Sequence, residues 1–138
     1  MSWRDQFPYA IAIQTRWADD DVYGHVNNVV YYAYFETVIN RYLIEAGGLD
    51  IVTGPAIGVC VESQCTYEKS ISFPETIEAG VRVSNLGKSS VSYEIGIFRG
   101  EDRCAHGRFV HVFVDRGTRK PTPIPERIRE ALRRIARP

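Results

Sequence analysis

The sequence predicts an α+β fold in which one antiparallel sheet curls around a long helix. Three observations predict it. The stretch from Asn28 to Ala46 has helical periodicity, and its first two turns, Val29-Val30-Tyr31-Tyr32-Ala33-Tyr34-Phe35, are apolar nearly all round, as in an enclosed helix rather than one laid on a surface. From Ile57 to Asp115 the pattern changes to period two, interrupted by tight turns that join consecutive strands in antiparallel fashion. A chain of 138 residues builds one sizeable core but not two, so residues 1–138 read as a single domain.

Taken in order, Tyr9 to Thr15 alternates and forms a short first strand, followed directly by the acidic loop Asp19-Asp20-Asp21-Val22-Tyr23-Gly24-His25-Val26-Asn27-Asn28. The helix comes next, about 28 Å long at 1.5 Å per residue. It places Tyr31, Phe35, Val38, Ile39, Tyr42 and Ala46 on one stripe and stops at Gly47-Gly48. Beyond Pro55, one parity (Ile57, Val59, Val61, Ser63, Cys65, Tyr67, Lys69, Ile71, Phe73) faces the core in a long strand that Pro74 closes. Thr76 to Leu86 and Ser89 to Arg99 are strands joined by a tight turn at Leu86-Gly87-Lys88, and Arg103 to Asp115 is the last strand. Ile128, Leu132 and Ile135 then share one face of a short end helix within Pro125 to Ala136, with Pro125 at its start.

Composition removes several classes of function. Residues 1–115 hold 9 basic and 15 acidic side chains and residues 116–138 hold 8 and 2, so the neutral total hides a basic end. That end has helical periodicity and none of the aromatic interleaving of a single-strand nucleic-acid platform, so nucleic acid is not expected as a partner. No stretch approaches the roughly 20 apolar residues of a spanning helix. Three cysteines and an N-terminal region without a signal-like apolar run point to a reducing, cytoplasmic setting. No metal is expected. The Asp19, Asp21, Gly24 spacing opens like a calcium loop but offers Tyr23 and Val30 where oxygen donors are needed, and Cys60 and Cys65, five apart on a strand, should point to opposite faces.

The acidic loop is where chemistry concentrates. A helix N-terminus offers unsatisfied N–H groups and partial positive charge that polarise a carbonyl, while an adjacent carboxylate serves as base or nucleophile. The same residues also fit a plain polar turn with Asn27 or Asn28 as helix N-cap. Three successive carboxylates beside His25 favour more than a turn, because their repulsion can raise one aspartate's pKa toward that of a general base. Neither a nucleophile-elbow serine nor a phosphate-cradling glycine loop is present.

The run Arg16-Trp17-Ala18-Asp19-Asp20-Asp21-Val22-Tyr23-Gly24-His25-Val26-Asn27-Asn28-Val29-Val30-Tyr31 resembles the signature of the hotdog-fold acyl-CoA thioesterases, the 4-hydroxybenzoyl-CoA thioesterase family and its long-chain acyl-CoA relatives. The likeness covers nearly the whole chain, and Asp21 to Asn28 is its specific part. It implies a five-stranded antiparallel sheet wrapped around the central helix, a homodimer or homotetramer built from edge-joined sheets, and active sites at the dimer interface. It implies Asp21 as the catalytic carboxylate, Asn28 as the residue whose backbone N–H holds the thioester carbonyl, and His25 and Asn27 as members of the motif. The chain departs from the pattern at Ser70, where many relatives have proline, and at Glu62, a mid-strand acid.

The expected activity is hydrolysis of an acyl-CoA thioester, with Asp21 either activating water or attacking the carbonyl. No cofactor is expected beyond the CoA carried by the substrate. Candidate substrate contacts are Asn27, Glu62, the turn residues Lys88, Ser89 and Ser90, and Arg119 and Lys120 after the last strand, whose cations suit the CoA phosphates. Glu62 lines an acyl or water pocket from the partner subunit or is an exposed strand carboxylate. Tyr31, Tyr34 and Phe35 border an acyl channel or pack the core. The rival readings are a catalytically silent hotdog dimer that binds acyl-CoA or a protein partner, and a thioesterase acting on acyl carrier protein.

Overall fold

The computed structural model describes residues 2–137; Met1 and Pro138, the ends of the expected domain, lie outside the described residues. Strands β1 (Tyr9–Gln14), β2 (Ala56–Tyr67), β3 (Thr76–Leu86), β4 (Ser90–Arg99) and β5 (Asp102–Asp115) form one antiparallel sheet in the order β1-β3-β4-β5-β2. Helix α1 (Val30–Glu45) packs on one face, and α2 (Glu126–Arg134) closes the chain. The expected α+β architecture is present, with every expected element.

The centre of the sheet is β4, in which Val91, Tyr93, Ile95 and Ile97 are buried beneath the helix. α1 buries Tyr31, Tyr34, Phe35, Val38, Ile39, Tyr42 and Leu43, a single stripe at helical spacing. A side chain at Gly107 would strike the Phe35 ring at 2.4 Å, so glycine lets the helix approach β5. The helix ends as its Gly-Gly stop requires: Gly48 takes φ +67°, and the Leu49 N–H donates to the Leu43 carbonyl at 3.0 Å. Ile128, Ala131 and Leu132 of α2 are buried. The chain after α2 then pairs with β3, where the Val83 N–H donates to the Ile135 carbonyl at 3.0 Å.

Three expectations need correction. First, α1 starts at Val30 rather than Asn28, because Asn27 to Val29 form a turn in which the Asn27 carbonyl accepts the Val30 N–H at 2.9 Å. Second, β2 ends at Tyr67 rather than Phe73, since the N–H groups of Glu68 and Lys69 both turn to the Cys104 carbonyl, at 2.8 and 3.0 Å. Third, β2 does not keep one parity toward the core. A bulge at Val61 shifts the register from Cys60 opposite His111 to Glu62 opposite Val110, which swaps the faces of all later residues. Cys60 and Cys65 therefore share the helix side instead of opposing each other.

The sheet has two edges, and they differ. β1 is short, and Val83 beyond it is covered by the chain at Ala136. β2 has 12 residues, pairs among the described residues only with β5, and carries Val59 and Val61 exposed. An open apolar edge of that length is a template for another strand.

Candidate active site

The acidic loop sits at the sheet end formed by Gln14, Thr76, Arg99 and Tyr67. It is fastened there by backbone bonds: the Thr15 N–H donates to the Glu75 carbonyl at 3.0 Å, and the Val26 N–H to the Ile71 carbonyl at 2.7 Å. Within the loop, the Asp21 N–H donates to the His25 carbonyl at 2.9 Å and the Gly24 N–H to the Asp21 carbonyl at 3.1 Å. Gly24 makes this return possible with φ +83°, a conformation costing other residues about 1 kcal/mol.

The three aspartates do three different things. Asp19 is buried and accepts hydrogen bonds from the Arg16 backbone N–H at 2.9 Å, the Arg16 Nε at 2.9 Å and the Tyr34 hydroxyl at 2.7 Å. Burial works to raise its pKa, but the Arg16 guanidinium, the Tyr34 hydroxyl and the Arg16 N–H outweigh burial and hold the carboxyl below its ordinary value. Repulsion among the acids therefore does not make Asp19 a base; it anchors the loop to the helix. Tyr34 is its partner and not a channel wall. The Tyr34 hydroxyl is correspondingly pushed up, by burial first and the Asp19 carboxylate second. Asp20 accepts the Phe73 N–H at 3.1 Å and ties down the segment after β2.

Asp21 is half-buried, and its Oδ1 accepts the Tyr23 N–H at 2.9 Å. This bond orients the carboxylate and leaves Oδ2 without a partner among the described residues. Asp21 and Asn27 line one open depression of about 620 Å³ with Trp17, Val22 and Tyr23. His25 and Asn28 line a second of about 290 Å³, with Tyr31, Tyr67 and Lys69. Loop residues contribute to both. Trp17, Val22 and Tyr23 are exposed at 79%, 94% and 82%, so the first depression is unroofed in a single chain.

The helix N-terminus has the polarity expected of it. The expected asparagine cap is not formed: the N-cap is Val29, with no side-chain cap bond, and Asn27 Oδ1 instead accepts the Val29 N–H at 3.1 Å within the turn ahead of α1, while the Asn28 N–H finds no acceptor among the described residues and is left open just ahead of the dipole's positive end. Its carbonyl is occupied: the Tyr67 hydroxyl donates to it at 2.9 Å. Sequence reasoning missed Tyr67 and the Asp19–Tyr34 pair. A tyrosine buried mid-helix was the available signal for the latter, since its hydroxyl needs a partner.

The remaining candidates do not gather here. Lys88 and Ser89, in the β3–β4 turn, and Ser90, which opens β4, lie at the opposite end of the sheet, where the Ser89 carbonyl accepts the Phe113 N–H at 2.7 Å. Arg119 and Lys120 follow β5 at that same end, and the Ile124 N–H donates to the Lys88 carbonyl at 3.0 Å, linking the two loops. Counting ten residues of β5 at 3.3 Å each, this basic corner lies roughly 33 Å from the Asp21 end. Glu62 is on the sheet face away from α1, exposed, and ion-paired with Arg108 at 3.5 Å. It does not line either depression of its own chain. Among the described residues no three His, Cys, Asp or Glu side chains are grouped to hold a metal ion, and no helix is long and apolar enough to cross a membrane.

Comparison with known proteins places the fold and loop in a family. Residues 15–132 match the model of the thioesterase-like superfamily, a hotdog-fold group. The chain belongs to this superfamily. Among solved structures it is similar to PA5185 of Pseudomonas aeruginosa, at 52% identity and a TM-score of 0.93 over 96% of this chain and 94% of that one. It is also similar to a Thermus thermophilus thioesterase crystallised with coenzyme A and zinc, at 30% identity and a TM-score of 0.83 over 97% and 98% of the two chains. The Bacillus subtilis protein YsmA is 25% identical over 131 residues, covering 94% of this chain and 88% of that protein.

Proposed function

We propose that this member of the thioesterase-like superfamily hydrolyses acyl-CoA thioesters. The observation that carries the reading is the division of labour in one loop: Asp21 presents an unpartnered carboxylate oxygen, and seven residues on, the Asn28 N–H stands open at the helix N-terminus. The thioester carbonyl oxygen accepts from Asn28, which stabilises the negative charge that develops on it. Asp21 removes a proton from the attacking water, or attacks the carbonyl carbon itself to give an anhydride that water then opens. Either route breaks the C–S bond and releases the free acid and the CoA thiol.

The site we propose is shared between two copies. Within one chain the cations suited to CoA phosphates are at the wrong end of the sheet, and the Asp21 depression is open. Joining two β2 edges about a two-fold axis runs the strands antiparallel and sets Tyr67 of one copy beside Ala56 of the other. At 4.8 Å per strand, the far end of the second copy's β5 then lies about 10 Å from Tyr67. Arg119 and Lys120 follow that end directly, and Lys88 is hydrogen-bonded to the same loop. A CoA nucleotide leaving the Asn28 site would reach them across the interface.

A panel of acyl-CoA esters of graded chain length, together with an aromatic acyl-CoA and an acyl carrier protein thioester, tests the reading by thiol release. Turnover of one or more CoA esters is the expected result, from a dimer or larger assembly in light scattering. Turnover of the carrier-protein thioester alone would replace the substrate class. Binding without turnover of any ester would favour the silent dimer.

A further inference from the structure

We propose that Tyr67 is a positioning residue for the reaction: its hydroxyl fixes the peptide that follows Asn28, and so aims the Asn28 N–H at the thioester oxygen. The inference rests on the thioesterase reading and adds to it a residue on another element of the fold.

The two peptides flanking Asn28 are held at three of their four polar groups. The peptide between Asn28 and Val29 is tied at both ends, its carbonyl accepting from the Tyr67 hydroxyl at 2.9 Å and its N–H donating to Asn27 Oδ1 at 3.1 Å. The peptide between Asn27 and Asn28 is tied at its carbonyl, which accepts the Val30 N–H at 2.9 Å. The Asn28 N–H is the fourth group and has no acceptor among the described residues. A donor fixed in this way needs no reorganisation as charge builds on the substrate, which is how a preorganised donor lowers a barrier. Bonding of the Asn27 carbonyl also polarises its own peptide and strengthens the open N–H as a donor.

Tyr67 is itself held firmly enough for this role. Its ring meets the buried Tyr31 ring edge-on, with centroids 5.0 Å apart and an interplanar angle of 89°. Tyr31 belongs to the first turn of α1, so ring and hydroxyl both engage the start of the helix. A tyrosine hydroxyl is protonated and able to donate at neutral pH, and partial burial, Cys65 and Tyr32 push its pKa further up. Tyr67 is also the last residue of the open edge strand, so whatever orders that edge also orders the donor.

Tyr67→Phe tests this because it keeps the ring against Tyr31 and removes only the donated bond. With an acyl-CoA that the wild type turns over, kcat should fall roughly three- to tenfold, the size of one neutral hydrogen bond, with KM changed less than twofold. The Asn28 and Val29 amide signals should move in two-dimensional NMR while those of the β4 core stay in place. Unchanged kcat in Tyr67→Phe, or a loss confined to KM, would overturn the positioning role. If the phenylalanine variant is poorly folded, Tyr31→Leu serves as the control, since it removes the ring that Tyr67 packs on and leaves the Tyr67 hydroxyl in place; equal losses of kcat in the two would also overturn it. A wild type that releases no thiol from any ester defeats the thioesterase reading instead, an outcome separate from these.

Discussion

Replacing Asp19 with alanine separates the anchoring acid of the loop from the reacting one. Asp19 is 1% exposed and, among the described residues, is the only hydrogen-bond partner of the Tyr34 hydroxyl. Its removal leaves that hydroxyl buried and unpaired. The Arg16 side chain, 73% exposed, simply returns to water, so its share of the pairing adds little. Losing a charged hydrogen bond inside the fold costs about 2–3 kcal/mol. At roughly 3 °C per kcal/mol for a chain of this length, the melting temperature should fall by about 6–9 °C. Tyr34→Phe deletes the same bond but leaves the carboxylate its Arg16 donors, so it should cost less than Asp19→Ala, and the double variant should cost less than the two single losses together. The Asp19 pKa is lowered on folding, so this stability is present at and above the ordinary carboxylate range and is lost only as pH falls below it. Scanning calorimetry at neutral pH reads the shift. An Asp19→Ala protein that melts with the wild type, or that loses activity with no loss of stability, would refute the assignment of Asp19 as the anchor.

Two other predictions concern groups away from the loop. His111 is buried, its Nδ1 has no hydrogen-bond partner among the described residues, and burial pushes its pKa down to about 4, whereas in the unfolded chain it takes the ordinary imidazole value of about 6.5. The unfolded state therefore binds the extra proton first, and stability should be lost as pH falls from about 6.5 to about 4, by roughly 3 kcal/mol in total. Denaturant titrations of His111→Leu should lack that slope; a slope identical to the wild type would show that His111 does not carry it. Lys88→Ala and Arg119→Ala should raise KM for acyl-CoA more than they lower kcat, with less effect on a pantetheine thioester lacking the nucleotide, and equal weakening of both substrates would show that these cations do not read the nucleotide.

Periodicity carried most of the fold. The α1 stripe, the Gly47-Gly48 stop and the turns after Leu86 and Arg99 are local features, and each appears where its residues place it. The bulge at Val61 was not legible, because Ile57 to Phe73 alternates without a break and the register shift is set by pairing with β5, forty to fifty residues away in sequence. The early end of β2 had the same cause, since the acceptor that turns the chain is the Cys104 carbonyl. The site divided along the same line. Asp21 and Asn28 stand close in sequence, and their placement at a helix start follows from local pattern. The partners of Asp19 and of the Asn28 carbonyl come from Tyr34 and Tyr67, one on a helix and one on a strand, and spacing within the loop says nothing about either. For Lys88, Arg119 and Lys120 the sequence suggested charge at a cleft mouth, but the strand register alone reveals that the cleft of their own chain is at the other end.

Thioester hydrolysis at this loop depends on Asp21, and Asp21→Asn tests that most directly. Asparagine keeps the shape and still accepts the Tyr23 N–H, while it removes the charge that activates water or attacks the carbonyl. Thiol release from the best acyl-CoA of the panel should fall at least about a hundredfold, the low end of a general base's contribution, with a melting temperature within about 2 °C of the wild type, since Asp21 is half-buried and makes one side-chain bond. Retention of most activity, or a loss that merely tracks unfolding, would contradict a catalytic Asp21 and make the third aspartate of the loop structural like the first.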